Sequence, residues 1–173
     1  MIISLEEART KNPDATRDDI MGIEKAIIEY TNNHFHLDNY RPRIGSITAD
    51  GKIYFRGANL FREGDTIELA YTNLNDGFYH VEEVGDDFIS TGSDLYPDTK
   101  GEIFLIRYPK EFAHFAKKII NYQIQTEAQA GIKSKSISRV TISYDTGAET
   151  KDTKNGLPAR FYDFLEPYKK VRW

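Results

Sequence analysis

The sequence predicts an α+β protein: a small helical bundle carrying an inserted antiparallel β-barrel or sandwich domain. Three observations predict it. Apolar residues recur at three- and four-residue steps near both ends of the chain, and at two-residue steps in the middle. Asp-Gly pairs punctuate the middle block at hairpin spacing. Proline and glycine mark where each pattern starts and stops. Residues 1–42 and 109–173 therefore form a discontinuous helical domain, and 43–108 form a β-domain set into the loop between two helices.

The elements follow in order. Ser4-Leu5-Glu6-Glu7 has capping-box spacing and opens a short helix through about Thr10, which Asn12-Pro13-Asp14 breaks. Thr16 starts a longer helix, with Asp18 and Asp19 in the first turn, where the helix dipole favours negative charge. Ile20, Ile23, Ile27, Tyr30 and His34 form one apolar stripe, and the helix is expected to end before Tyr40-Arg41-Pro42. Ile67, Leu69 and Tyr71 then alternate with polar residues. Turns are expected at Asp50-Gly51, Asn75-Asp76-Gly77 and Gly85-Asp86-Asp87, and Ile103–Ile106 reads as a strand buried on both faces. Pro109 opens a second long helix, with Phe112, Phe115, Ala116, Ile119, Ile120 and Ile124 on one face and Gly131 as its stop. A lone strand follows, with Val140, Ile142 and Tyr144 on one face, and then a polar, mobile loop at 145–156. Leu157-Pro158 opens a final short helix with Phe161, Phe164 and Leu165 inward, stopped by Pro167.

Composition narrows the chemistry. A chain of 173 residues can bury a core without staples, and the absence of cysteine excludes disulfides, thiolate catalysis and cysteine-containing zinc sites. No stretch reaches the apolar length needed to cross a bilayer, and the acidic N-terminus is unlike a signal peptide, so a soluble cytoplasmic product is expected. The net charge of −4 is uneven: 11 basic against 20 acidic residues in 1–108, and 12 against 7 in 109–173. That asymmetry suits head-to-tail contact between copies, or docking of the basic end on an acidic partner, and equally suits solvated faces of different charge.

No catalytic site is expected. The glycines lack phosphate-loop spacing, and no nucleophile elbow or triad order is present. Glu82-Glu83 and Asp86-Asp87 flank a turn, where carboxylates are routinely solvated. His34-Phe35-His36 places two imidazoles on opposite faces of a helix, so they cannot share a metal unless that helix has already ended. They read as capping or surface residues, and no metal or cofactor is expected. The rival reading is a nucleic-acid-binding β-barrel module on a helical stalk, with Tyr54, Phe55, Phe61, Tyr71, Phe78, Tyr79, Phe88 and Phe104 available for stacking. Against it, most of these alternate as core residues do, and the block is acidic. Lys133, Lys135 and Arg139 form a modest basic cluster best read as a solvated loop.

Two segments read as contacts between chains. A lone strand has unpaired backbone groups, so Ile137, Val140, Ile142 and Tyr144 are candidates for pairing with a neighbouring copy, with the β-block as the alternative partner. The tail Tyr168, Lys169, Lys170, Val171, Arg172, Trp173 is rich in the residue types enriched at interface hot spots. It either folds back or docks on a partner.

These features together resemble the head-tail connector (adaptor) proteins of tailed bacteriophages with long non-contractile tails. The resemblance rests on Ser4–Ala8 with the Asp14–Asp19 bend, on Gly131-Ile132-Lys133-Ser134-Lys135-Ser136-Ile137, on Val140–Tyr144, and on Gly156-Leu157-Pro158 with Phe164–Arg172. It covers roughly the helical 60% of the chain, and its motifs are short and degenerate. The block 43–108 departs from the compact family pattern and is similar to small β-modules of other phage neck proteins, through Gly64–Glu68 and Asn75–Tyr79. The resemblance implies a twelve-fold ring beneath the portal protein that extends the DNA channel and receives the next neck, stopper or tail protein. It implies no catalysis, no cofactor and no membrane. DNA would pass an acidic wall without specific binding, and the protein would move from host cytoplasm to virion neck. By carry-over, Ile137–Tyr144 would contact a neighbouring subunit and Tyr168–Trp173 would grip portal or neighbour.

Overall fold

The computed structural model describes the backbone of residues 1–129, 134–137, 140–143, 153–154, 157–158 and 160–171, with side chains through 124 and again from 161 to 171. The chain forms two compact units, Met1–Ser4 with His34–Pro109, and Leu5–Asn33 with Lys110–Trp173. The class is α+β, with helices and two antiparallel sheets of three or more strands.

In the β unit the strands are β1 (Ile44–Ile47), β2 (Lys52–Phe55), β3 (Thr66–Ala70), β4 (Gly77–His80), β5 (Glu83–Val84), β6 (Phe88–Ser90) and β7 (Glu102–Ile106). One sheet runs β1-β2-β6-β5 and the other β4-β3-β7, every pair antiparallel. Of the two expected forms, barrel or sandwich, a closed barrel is not formed. The β1 and β7 segments, at the edges of the two sheets, are joined by isolated bridges, Arg43 with Glu102 and Ile47 with Asp98, rather than by a continuous ladder. One apolar core includes Ile44, Ile47, Ile53 and Ile89 from the first sheet and Ile67, Leu69, Ile103 and Leu105 from the second. Fully burying each such aliphatic side chain contributes about 1.5–3 kcal/mol. The β1–β2 turn needs its glycine: Gly51 sits at φ 76°, and a Cβ there would lie 2.6 Å from the Ser93 carbonyl oxygen.

Alternation fails at one expected core position. β3 ends at Ala70, and Tyr71 takes a left-handed φ of 62°, which leaves its side chain 72% exposed. Strand β7 agrees with its reading as doubly buried: Ile103, Phe104, Leu105 and Ile106 are all buried.

The helical unit contains α1 (Leu5–Arg9), α2 (Arg17–Thr31), α3 (Phe112–Gln129) and α4 (Arg160–Asp163), followed by a 3-10 turn at Glu166–Tyr168. Thr16 caps α2 with a full capping box: its hydroxyl accepts from the Asp19 amide at 3.2 Å, and the Asp19 carboxylate accepts from the Thr16 amide at 2.8 Å. Thr16→Ala is expected to cost about 0.5–2 kcal/mol, read as a lower urea midpoint with unchanged slope. Helix α2 buries Ile20, Ile23, Ile27 and Ile28, and α3 buries Phe112, Phe115, Ala116, Ile119 and Ile120.

Three expectations need correction here. Helix α2 stops at Thr31, because Asn32 turns left-handed at φ 50°, so His34 is not part of its stripe. The strand β9 (Val140–Ser143) is not alone: it pairs antiparallel with β8 (Ser134–Ile137), a segment read as loop. Leu157–Pro158 is not helical either; it forms strand β11, paired with β10 (Thr153–Lys154), and α4 begins at Arg160.

Candidate functional site

The outward face of β3-β4-β7 carries a cluster built by register. Glu68 on the central strand β3 stands opposite Phe78 on one side and Phe104 on the other. Such cross-strand neighbours share a face. Just after α2, Phe35 adopts φ 55°, and the segment joins the sheet edge through the bridge of His36 with Ile106 and the 2.7 Å bond from the Leu37 amide to the Leu105 carbonyl. His34 then packs against Phe78, ring centres 5.7 Å apart, and His36 stacks on Phe104 at 4.4 Å. Both imidazoles turn to the carboxylate between the rings: His34 Nδ1 lies 2.7 Å, and His36 Nε2 2.6 Å, from the same Glu68 Oε2. The expectation of no shared ligand set rested on a helix running through His34. That helix has ended, and His34, His36 and Glu68 hold three ligand atoms within 4.8 Å of one another. Burial pushes the Glu68 carboxyl up, but hydrogen bonds from His36 and His34, together with their charge, outweigh it and leave it below the usual glutamate range.

A second feature of this unit is a pair of clamped loops. Loop 71–76 exposes Tyr71 and Leu74, and the segment before β7 exposes Tyr96, at 72%, 71% and 63%. Behind them Asn75 is buried; its side chain donates to the Tyr96 carbonyl at 2.9 Å and accepts from the Tyr96 amide at 2.8 Å. The Asp98 carboxylate accepts from the Asn73 amide and side chain and from the Thr99 and Lys100 amides, at 2.7–3.1 Å. A groove of about 310 Å³ runs beside Tyr71, lined also by Arg43, Ile44, Thr99, Lys100, Gly101 and Glu102.

The bond from the Asn73 amide, helped by those from Lys100 and Thr99, holds the Asp98 carboxyl below the usual aspartate range. A depressed folded value means that Asp98 stabilises the fold fully above the ordinary aspartate range, and that this contribution disappears as pH falls through the lower, folded value. Asp98→Asn is expected to flatten the acid limb of a stability-against-pH curve, measured by urea unfolding between pH 7 and pH 2. An unchanged acid limb would contradict the clamp.

The tail residues that the structure describes fold back within the helical unit. Tyr168 packs edge-on against Phe112, ring centres 4.7 Å apart, and its hydroxyl donates to Glu111. Lys169 bonds Glu166 at 2.8 Å and sits 4.1 Å above the Tyr30 ring, while the Lys170 amide donates to the Thr31 carbonyl at 2.8 Å. Val171 is exposed. Arg172 and Trp173 lie outside the described residues, as does Tyr144; of Ile137, Val140 and Ile142 only the strand pairing is described. A truncation at Tyr168 would therefore remove a core contact as well as the tail. Beside the tail, Phe115 and Phe164 stack at 5.3 Å on the wall of a cavity of about 430 Å³, which also touches His114, Lys118 and Tyr122.

The sequence matches no protein-family model and no curated protein. Among the described residues, no helix is long and apolar enough to cross a membrane.

Proposed function

We propose that this protein is a passive assembly subunit, a member of the head-tail connector ring of a tailed bacteriophage. In this reading the helices form a bundle that docks beneath the portal, and the β unit receives the next neck or tail protein. The observation that carries it is the trio Tyr71, Leu74 and Tyr96, large apolar side chains left in water on loops that Asn75 and Asp98 clamp from behind. Such rigid, exposed anchors suit a surface that another protein covers, with little ordering cost on binding. The acidic β unit supports the reading: His34–Pro109 holds 7 basic against 13 acidic residues, a wall along which DNA would slide. The resemblance of the helical segments supplies the particular assembly. Negative-stain imaging of a portal ring mixed with the protein tests it: a second ring stacked on the portal is expected, and bare portals at saturating protein would refute it.

One observation favours the rival reading of a nucleic-acid-binding module. The groove beside Tyr71 also presents Arg43 and Lys100, an aromatic and two cations at one edge. Fluorescence polarisation with a labelled single strand separates the two. The connector reading expects no saturation at physiological salt. Salt-dependent micromolar binding that Tyr71→Asn abolishes would favour the rival.

A further inference from the structure

His34, His36 and Glu68 form a donor set of two imidazole nitrogens and one carboxylate oxygen. Mixed nitrogen and oxygen donors suit first-row transition ions, whereas calcium and magnesium ask for oxygen alone. Three features prepare the site. Glu68 sits on the central strand of its sheet, so its backbone is fixed on both sides. The flanking rings Phe78 and Phe104 hold the two imidazoles at a set orientation. Phe35 between them is left-handed, an uncommon conformation for an aromatic residue, and both histidines reach the same carboxylate oxygen.

Two of the three donor spacings are close to those of an ion site, and the two nitrogens lie within 4.8 Å of each other. Tetrahedral zinc, with bonds of about 2.0–2.1 Å, places its donors about 3.3 Å apart. Here Glu68 Oε2 lies 2.7 and 2.6 Å from the two nitrogens. An ion would therefore need the carboxylate to withdraw from the two nitrogens by about 0.6 Å. The side chains are 43%, 30% and 16% exposed, so the site opens to solvent.

We propose that His34, His36 and Glu68 bind one divalent transition-metal ion, zinc in the first instance, with water completing the coordination. The ion pins the first residues after α2 onto the outward face of β3. It stabilises the β unit by binding only the folded chain.

The test uses full-length protein stripped with a chelator and titrated with zinc chloride by calorimetry. One ion per chain with micromolar or tighter affinity is expected. Glu68→Gln and His34→Gln should each weaken binding by more than about 100-fold, since loss of a supporting partner alone costs 10–100-fold. His114→Gln, outside the cluster, should bind as wild type does. Should a variant fail to fold, imidazole nitrogen NMR of the wild type decides: zinc should shift His34 and His36 and leave His80 and His114 unmoved. No saturation below millimolar zinc, equal affinity in the cluster variants, or shifts at His80 or His114 instead would overturn the proposal.

Discussion

Replacing Phe112 with alanine is expected to destabilise the helical unit by about 3–5 kcal/mol, the usual cost of deleting a fully buried phenyl ring. Phe112 is 0% exposed at the first turn of α3, and it holds the C-terminal segment to that helix. Its ring meets Phe164 at 5.5 Å and Tyr168 at 4.7 Å, both edge-on. The cavity left would thus loosen the packing of the final segment on α3. Equilibrium urea unfolding measures the loss. Phe164→Ala is the comparison: Phe164 is 37% exposed and already partly in water, so its truncation should cost distinctly less. A Phe112→Ala loss below about 1 kcal/mol would mean that the C-terminal segment does not close the core of this unit.

The second large effect is on association. If the proposed connector reading holds, Tyr71→Asn, Leu74→Ser and Tyr96→Ser combined should weaken binding to a neighbouring assembly component by more than about 100-fold, since two hot-spot residues at about 2 kcal/mol each suffice. Asparagine is chosen at 71 because it tolerates the left-handed backbone there. All three side chains are exposed, so the urea midpoint should stay within the range of ordinary surface changes. Biolayer interferometry against the portal ring and against the next neck component reads which contact is lost. Wild-type affinity for both would remove this surface from the account.

Local signals made much of the fold legible. The Thr16 cap, the Asp50-Gly51 turn, the inward Ile67 and Leu69, and the buried run Ile103–Ile106 each need only neighbours in sequence. The errors share a cause. The stripe through Ile20, Ile23 and Ile27 continues by periodicity to His34, but one left-handed residue, Asn32, stops the helix, and apolar spacing does not record a backbone turn. Tyr71 likewise keeps the alternation of β3 while its backbone leaves the strand. Ser134–Ile137 has too little apolar alternation to read as a strand, so the sequence leaves β9 without a visible partner. Barrel closure depends on how two sheets meet at Arg43 and Glu102, which strand counting does not decide.

The candidate sites were less legible, because distant residues build them. Glu68 meets histidines more than thirty positions away, and Asn75 and Asp98 bind loops that only the tertiary fold makes adjacent. Asn75-Asp76-Gly77 was readable as a turn, yet nothing local distinguishes an asparagine that turns the chain from one that also clamps another loop. The one available signal was conditional: His34-Phe35-His36 permits a shared ligand set if the helix ends first, and it does.

Assembly beneath a portal, as proposed, is tested most directly by the mass of the protein in solution, measured by light scattering alone and mixed with a candidate portal ring. A connector subunit should either form a closed ring on its own or be a monomer that adds about twelve copies to the portal peak, by the symmetry of a twelve-fold ring. A monomer that leaves the portal peak unchanged at saturating concentration would contradict it.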